Sequence, residues 1–319
     1  MKFNLGLGVA LIAAMALSLL AGKVWVPPLA FTSADPRWLI IFELRMPRTV
    51  LAMAVGAALG LSGAAMQGYL RNPLADPGLF GVSAGASLGA VLALFFGLAA
   101  QAWLLPAFAL TGAAVSMALL ALLVGRSGSL IVFTLGGVIL SSIAGSMTAL
   151  AISLAPTPFA SAQIITWLMG ALTDRSWDDV ALALPLIGVG ALLLALTGRA
   201  LDALTLGETA ARTMGVDPLR LQILIVVGVG LCVGASVATA GVIGFVGLMV
   251  PHIVRPFAGH RPSAVLLPAA LGGALLLVVA DSLVRVAPTV SELRLGIAMA
   301  MLGGPFFLVL LLRMRRHLP

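Results

Sequence analysis

The chain has 319 residues, of which 61% are hydrophobic and 9% are charged, and its formal net charge is +7. A soluble globular domain carries about 25% charged residues, so this composition excludes that class and indicates a membrane protein. Only two lysines occur, Lys2 and Lys23, and neither lies in a G-x-x-x-x-G-K-[ST] loop. The chain therefore has no P-loop ATPase domain of its own.

The sequence offers few groups for covalent or metal chemistry. The single cysteine, Cys232, lies in an apolar run, which predicts a buried packing residue and excludes an internal disulfide. The histidines His252, His260 and His317 lack the spacing to cysteines or acids that metal sites have. An intramembrane enzyme needs a cluster of convergent reactive groups, so we expect no enzymatic activity and no cofactor in this chain.

Apolar stretches of about 20 residues, the length that crosses a bilayer, recur along the whole chain. Ten of them predict an all-α polytopic membrane protein with a single transmembrane domain over residues 1–319. The predicted spans are 5–22, 47–69, 79–99, 103–124, 129–153, 179–197, 219–238, 242–258, 264–286 and 293–312. The eighth is short and rich in glycine.

Two parts of this pattern have further interpretations. The first span follows a basic start and ends in small residues, so a cleaved signal peptide is the alternative to a retained span. The stretches RWLIIF and SAQIITWLMGAL are too short to cross and contain tryptophan. They predict segments that lie against the outer interface.

The charged residues between the spans predict the orientation. With the N-terminus inside, eleven basic and four acidic residues fall on the inner side, and seven of each fall on the outer side. The whole excess of positive charge then lies inside, as the positive-inside rule expects. We therefore expect both termini in the cytoplasm, and the basic composition needs no nucleic-acid partner to explain it.

Small residues recur at an offset of 178 positions, which suggests an internal repeat. The offset lays 55–57 over 233–235, Gly63 over Gly241, Pro73 over Pro251 and Gly81 over Gly259. Five predicted spans separate the copies, so they would cross in opposite directions, as the inverted repeats of transporters do. Chance among 36 glycines is the alternative, and glycine also has a packing role between membrane helices.

Ionisable residues are almost absent from the predicted spans. Asp281 and Arg285 stand four apart on one helical face near the outer end of the ninth span, which predicts a local ion pair. A secondary carrier usually buries acids or histidines that bind its coupling ion. An ion-coupled secondary transporter is the alternative function, but the sequence favours a transporter that receives its energy from another subunit.

One polar segment, TLGETAARTMGVDP at 205–218, interrupts the apolar second half on the predicted cytoplasmic side. Glu208 and Arg212 are four apart, which favours a helix, and Gly215 and Pro218 predict its end. A membrane pump without its own ATPase needs a rigid cytoplasmic helix that receives force from a separate subunit. A solvated connector is the alternative interpretation.

Four segments carry a resemblance to a known family. They are LGETAARTMG from Leu206, RMPRTVLAMAVGAALGLSGAAMQGYLRNPLADPGLFGVSAGA from Arg45, GFVGLMVPHIVRPFAGHRP from Gly244 and ELRLGIAMAMLGGPFF from Glu292. In kind and order, over nearly the whole chain, they resemble the FecCD-type permeases. These permeases belong to binding-protein-dependent ABC importers for iron-siderophore complexes, haem or cobalamin.

The resemblance implies an architecture and a set of partners. Members of the family have ten helices per subunit and form homodimers in the bacterial cytoplasmic (inner) membrane. Two copies of a separate P-loop ATPase, which binds ATP and Mg, lie below the dimer, and a solute-binding protein docks above it. The resemblance places a cytoplasmic coupling helix within residues 200–218, whose contacts with the ATPase would be made by Gly207, Glu208, Ala211, Arg212 and Gly215.

The resemblance also implies a docking site and a gate. The binding protein would meet Arg45, Arg48 and Arg285. The first two are three apart at a helix start, which suits capture of carboxylates, and arginines that snorkel to the interface are the alternative. The cytoplasmic gate would include Asn72, Leu74, Ser127 and Ser129, where a simple span end is the alternative.

Overall fold

The computed structural model describes residues 2–26, 37–125, 130–288 and 291–315. Within these ranges the chain forms thirteen α-helices and no strand. The helices are α1 (Lys2–Leu20), α2 (Met46–Leu70), α3 (Val82–Phe95), α4 (Leu104–Val124), α5 (Leu130–Ser153), α6 (Pro158–Leu168), α7 (Trp177–Ala195), α8 (Gly198–Leu204), α9 (Glu208–Thr213), α10 (Pro218–Ala240), α11 (Val246–Ala258), α12 (Pro262–Val286) and α13 (Leu295–Arg315).

Every predicted span coincides with one of these helices. In the described part of the chain, seven helices are long and apolar enough to cross a bilayer: α1, α2, α4, α5, α7, α10 and α12. The third, eighth and tenth predicted spans correspond to the shorter apolar stretches in α3, α11 and α13. The all-α membrane fold is confirmed, whereas the number and direction of the crossings stay predictions.

The stretch RWLIIF is continuous with α2, and its position at the outer interface stays a prediction. It enters a π-helical turn, Ile40–Arg45, that continues directly into α2. Ile41 in this turn is fully buried and packs with Val26. Apolar packing against the segment that follows α1 therefore holds this turn. The second short stretch contributes to α6, whose 11 residues are too few to cross a bilayer.

The helix α2 forms the centre of the bundle. It is buried along most of its length and packs against α7, α10, α11 and α12. Its closest neighbour is α12, because a Cβ on Gly56 would overlap the carbonyl of Gly273. Glycine allows two membrane helices to approach backbone to backbone. The packing role predicted for the glycines is confirmed at this contact.

The single cysteine lies in the second most buried long helix, α10. Cys232 is fully buried, and its Sγ lies 3.8 Å from the carbonyl oxygen of Ile187 in α7. Gly190 and Gly228 bring these two helices together at the same level. The prediction of a buried packing residue is confirmed.

The 178-residue offset pairs one helix with another but does not pair the elements that follow them. It lays α2 over α10, the two most buried of the long helices. Beyond them, Pro73 lies after α2 but Pro251 lies inside α11, and Gly81 precedes α3 but Gly259 follows α11. The offset does not pair equivalent positions there, because the connection after α2 is longer than the one after α10. The inverted repeat stays a prediction.

The two ends of α2 define the two ends of the bundle. Arg48 lies in its first turn and Arg71 just after its last, about 35 Å apart at 1.5 Å per residue. We call them the Arg48 end and the Glu208 end, because Arg71 contacts Glu208 of α9. The helix α12 runs antiparallel to α2, with Asp281 at the Arg48 end and its first turn at the Glu208 end.

Candidate functional site

The Glu208 end presents α9, a six-residue helix with well-defined ends. Gly207 before it has φ of 100°, and Gly215 after it has φ of 86°. The N–H of Val216 donates to the Ala211 carbonyl and that of Gly215 to the Arg212 carbonyl, at 3.0 Å each. This is a Schellman motif, which needs a left-handed residue at the position of Gly215. The predicted helix and its end at this glycine are confirmed.

Only one face of α9 is attached to the rest of the subunit. Ala211 is 1% exposed and lies in the main core, against which Val216 packs, while Glu208 is exposed. Two large apolar side chains flank the helix, Leu206 at 68% exposed and Met214 at 63%. Exposed apolar groups beside charged ones are typical of a protein interaction surface. Neither apolar residue was predicted from the sequence to take part in such a surface.

The helix α8 joins this segment to α12. The carboxylate of Asp202 accepts hydrogen bonds from the backbone N–H of Ser263 at 2.9 Å and from its hydroxyl at 2.5 Å. Ser263 lies in the first turn of α12, where N–H groups have no partner within their own helix. Asp202 therefore caps α12 from a separate helix and fixes the segment 200–218 to it.

A salt bridge joins α9 to α2. The Nη2 atom of Arg71 lies 3.6 Å from the Oε1 atom of Glu208, so this acid pairs across the fold rather than with Arg212 on its own helix. The two side chains are 42% and 50% exposed, and such a pair contributes little to stability. Its effect is positional, because it links α9 to the loop that leaves α2.

The predicted gate residues fall partly within the described chain. Asn72 and Leu74 lie in the loop after α2, where the Asn72 Oδ1 atom accepts a hydrogen bond from the Leu74 N–H at 3.0 Å. Both line an open pocket of about 400 Å³ whose other wall is α5. Ser127 and Ser129 lie outside the described residues. The role of all four in gating stays a prediction.

The Arg48 end contains a buried ion cluster. Asp281 is fully buried, and it accepts hydrogen bonds from the Nε atom of Arg48 at 3.0 Å and from its Nη2 atom at 2.9 Å. Arg285, one helical turn further along α12, donates to the same carboxylate at 3.2 Å. The predicted pair of Asp281 and Arg285 is confirmed, and it forms one part of a larger cluster.

Glu292 supplies the second carboxylate of the cluster. Its Oε2 atom accepts hydrogen bonds from Arg48 at 2.9 Å and from the hydroxyl of Thr173 at 3.0 Å. Burial by itself would raise the pKa of the Glu292 carboxyl, but Arg48, Thr173 and Arg285 outweigh it, and the pKa lies below its usual value. Two carboxylates thus balance two guanidinium groups, and no sequence spacing signals this arrangement.

The remaining predicted docking arginine, Arg45, binds the backbone around the end of α1. Its guanidinium donates to three carbonyl groups at distances of 2.5 to 3.0 Å, those of Leu19, Leu20 and Val24. Arg285 also reaches α1, where it donates to the hydroxyl of Ser18 at 2.8 Å. These bonds make α1 part of the packed bundle.

The three predicted docking residues lie around one concavity. Arg45, Arg48 and Arg285 are each no more than 7% exposed, yet all three line an open space of about 520 Å³ at this end. The structure brings them together with partners already bound inside the subunit. Their contact with a binding protein stays a prediction.

Comparisons with known proteins agree with this architecture. The chain matches the FecCD transport family over residues 10–313. It is 41% identical over 291 residues to the uncharacterized ABC transporter permease YvrB of Bacillus subtilis (strain 168), covering 89% of this chain and 82% of YvrB. It is 40% identical over 312 residues to the vitamin B12 import system permease BtuC of Citrobacter koseri, covering 97% and 94% of the two chains.

A solved structure is similar along its full length. It is an inward-facing conformation of an ABC transporter assigned to the metal-chelate type, with a TM-score of 0.90 and 30% identity over 98% of this chain and 99% of the other. These relatives are membrane subunits of transporters, in which a separate subunit carries the ATPase activity. The chain therefore belongs to the FecCD transport family and is a permease subunit of an ABC importer.

Proposed function

We propose that this permease imports a bulky metal chelate by alternating access. The cargo would be an iron-siderophore complex, haem or cobalamin. The relatives named as vitamin B12 permeases favour cobalamin among these cargoes. In this account the chain lies in the bacterial inner membrane with its Glu208 end in the cytoplasm. ATP and Mg bind to the separate ATPase, and the chain itself performs no covalent chemistry.

The observation that carries the proposal is the attachment of α9. This exposed helix is bonded to α2 through Arg71 and Glu208, and its neighbour α8 is bonded to α12 through Asp202 and Ser263. A solvated connector needs neither bond. A helix that receives force from an ATPase needs both, because it must transmit displacement to the membrane helices. Gly207, Glu208, Ala211, Arg212 and Gly215 would form and present this docking helix, as the resemblance implies.

The pair α2 and α12 is suited to carry that displacement across the membrane. The two helices touch through glycine backbone at Gly56 and Gly273, and close-packed helices move as rigid bodies. At their far end Arg48 and Asp281 lock them together through buried hydrogen bonds. Movement of α9 would therefore reach the Arg48 end without bending either helix.

The gate would respond through the loop after α2. Arg71, which holds Glu208, directly precedes Asn72, and Asn72 and Leu74 line the pocket beside α5. Displacement of α9 would move this loop relative to α5. Ser127 and Ser129, which the resemblance assigns to the same gate, precede α5 in the sequence.

A homodimer would enclose the cargo pathway. The helix α5 carries large exposed apolar side chains along much of its length, including Ile131, Leu135, Ile143 and Leu150. A bilayer or a second copy of the chain would cover them. We favour a second copy near the gate, because the pocket that Asn72 and Leu74 line opens beside α5.

Docking of the solute-binding protein would take place at the Arg48 end. The concavity lined by Arg45, Arg48 and Arg285 would accept an acidic lobe of that protein. Since Arg48 already binds two carboxylates, docking would exchange or extend existing bonds rather than satisfy free charges.

The secondary carrier is less well supported. It needs an acid that can bind and release an ion within the membrane. Asp281 is fully buried, but Arg48 and Arg285 already occupy its carboxylate. Removing one of them would leave a buried charge without its partner, which is strongly destabilising.

The proposal is tested by reconstituting the permease in vesicles with the ATPase and binding protein of its own system. Cyanocobalamin and ferric siderophore uptake are measured with ATP or with an imposed proton gradient. The proposal predicts uptake that needs ATP and the binding protein. Uptake driven by the proton gradient without ATP would contradict it and favour the secondary carrier.

A further inference from the structure

A second cavity at the Arg48 end lies beside the docking concavity. It is an open pocket of about 400 Å³ between α6 and the loops that precede α7 and α13. We call it the α6 pocket, and the lining residues that matter here are Phe159, Gln163, Thr166, Trp167, Arg175 and Arg294. It adjoins the docking concavity, since Thr173, Asp174 and Arg175 line both.

One wall of the pocket is a single face of α6. Phe159, Gln163, Thr166 and Trp167 are spaced four, three and one apart, so they project to the same side of the helix. The face offers an exposed phenyl ring, an indole ring and two polar side chains to the pocket. Such a surface suits a large ligand with a flat apolar body and polar substituents.

The opposite wall carries an excess of positive charge. Arg294 has no hydrogen-bond or salt-bridge partner for its guanidinium among residues 2–26, 37–125, 130–288 and 291–315. Arg175 has only a long contact with Asp179, at 3.5 Å, and its Nε atom is buried without an acceptor. Asp174 is the one acid among the lining residues that the structure describes.

The nearby carboxylate that could neutralise Arg294 is already engaged. Glu292, two residues away, binds Arg48 and Thr173 on the other side of the loop. Arg294 and Arg175 thus line an open, ligand-sized space, and neither guanidinium is fully paired within the described part of the chain. A guanidinium fork binds carboxylate, phosphate and catecholate oxygens through paired hydrogen bonds.

Backbone contacts join the chain segments that line the pocket. The Gly296 N–H donates to the Gly170 carbonyl at 3.1 Å, and the Ala171 N–H donates to the Ala240 carbonyl at 2.8 Å. A Cβ on Gly170 or Gly296 would overlap a neighbouring carbonyl. Three chain segments therefore meet backbone to backbone beside the pocket, where Ala171, Ala240 and Gly241 line it.

We propose that the α6 pocket receives the cargo as it enters, and that Arg294 and Arg175 select a cargo that presents an anionic oxygen group. The apolar body of the cargo lies against Trp167 and Phe159. This inference rests on the proposed function, and it narrows the cargo to chelates with an accessible carboxylate, catecholate or phosphate.

The test uses the permease reconstituted with its ATPase and binding protein, and five probes. Three carry an anionic oxygen group: a ferric tricatecholate siderophore, haemin with its carboxylates, and cyanocobalamin with its phosphodiester. Two lack one: cobinamide and the cationic ferrioxamine B. Initial ATP-dependent uptake rates identify which source of the anionic group the wild-type system uses.

The variants then test the arginine directly. Arg294→Gln should lower the uptake rate of the transported anionic probe about tenfold or more, the usual loss for a hydrogen bond to a charged group. Arg294→Lys keeps the charge and should retain most of the rate. Gln163→Glu adds a competing negative charge on the facing wall and should also lower the rate, whereas Gln163→Lys should not. Elution of each variant as an intact complex with the ATPase verifies that it folds.

Each outcome decides the inference. Loss in Arg294→Gln, retention in Arg294→Lys and transport of an anionic probe support it. An unchanged rate in Arg294→Gln, or transport of cobinamide or ferrioxamine B at the rate of the anionic probes, overturns it and leaves the proposed function intact. If the wild-type system transports none of the five probes with ATP, the proposed function fails and the inference fails with it.

Discussion

The two ends of the α2–α12 pair differ in how deeply their charged side chains are buried and how closely they are paired. At the Arg48 end, Asp281 is fully buried and shared by Arg48 and Arg285. At the Glu208 end, Glu208 and Arg71 meet at 3.6 Å with about half of each side chain exposed. Charges that are buried and fully paired make an end rigid, because separating them leaves an uncompensated ion. Charges that are exposed and loosely paired are free to bind another protein.

Reversing the charge of Glu208 should have the largest effect on transport. Because like charges across an interface cost several kcal/mol, Glu208→Lys should weaken ATPase binding by roughly a hundredfold or more. Stability should change by no more than about 0.5 kcal/mol, as is usual for an exposed site. Asp178→Lys, an equal reversal at an exposed position near the Arg48 end, is the control. Pull-down of the ATPase and unfolding in mixed micelles measure the two effects.

Neutralising Asp281 should have the largest effect on stability. Asp281→Asn keeps the shape of the side chain but leaves two buried arginines without their shared carboxylate. Breaking a buried ion pair in this way costs about 3–5 kcal/mol. The matched change at the other end, Glu208→Gln, should cost no more than about 0.5 kcal/mol. Equal losses of unfolding free energy for the two variants would remove the contrast between the ends.

Widening the contact between the two helices should have an intermediate effect. In Gly273→Val the new side chain would overlap the backbone of Gly56, and overpacking of this kind costs about 1–3 kcal/mol. Gly188→Ala in α7 is the control, because no atom lies within 4 Å of its Cβ position. That change should alter stability by less than about 1 kcal/mol. If α2 and α12 transmit movement, Gly273→Val should also reduce ATP-driven uptake while Gly188→Ala should not.

Neutralising Glu292 should have the smallest effect on the free energy of unfolding, and this effect should depend on pH. Its side chain is 22% exposed, so Glu292→Gln should cost only about 1 kcal/mol at neutral pH. The folded pKa of this carboxyl is lowered, so its stabilisation is complete above the unfolded value and disappears as pH falls through the folded value. The difference in unfolding free energy between wild type and variant should stay constant from about pH 8 to 5 and shrink below about pH 4.5. If the difference in unfolding free energy between wild type and Glu292→Gln disappeared between about pH 7 and 6, the pKa of the Glu292 carboxyl would not be lowered, which would contradict its pairing with Arg48.

The sequence predicted the helices well because a bilayer leaves the backbone little choice. A spanning segment satisfies its hydrogen bonds internally, so each of the ten apolar stretches marked the place of a helix. How many of these helices cross the bilayer stays a prediction. The end of α9 was equally readable, since Gly215 and Pro218 are local signals. The continuation of RWLIIF into α2 was not predicted, because burial of Ile41 depends on packing that no local pattern encodes.

The ion cluster was only partly predictable. The pair of Asp281 and Arg285 is visible as a spacing of four, but the bonds from Arg48 join residues 233 and 244 positions apart. No periodicity relates such positions in one sequence. The predicted docking role of Arg45, Arg48 and Arg285 came from resemblance alone. The structure adds that they share one concavity and already have partners inside the subunit.

The most direct test of the account is to purify the tagged permease gently from its own host and identify by mass spectrometry the proteins that accompany it, with wild type and Glu208→Lys side by side. The account predicts a P-loop ATPase at near equal amount with the wild type and its loss with the variant. A wild-type permease that is isolated alone, or an ATPase that stays bound to the variant at full amount, would contradict the assignment of α9 as the helix that couples ATP hydrolysis to transport.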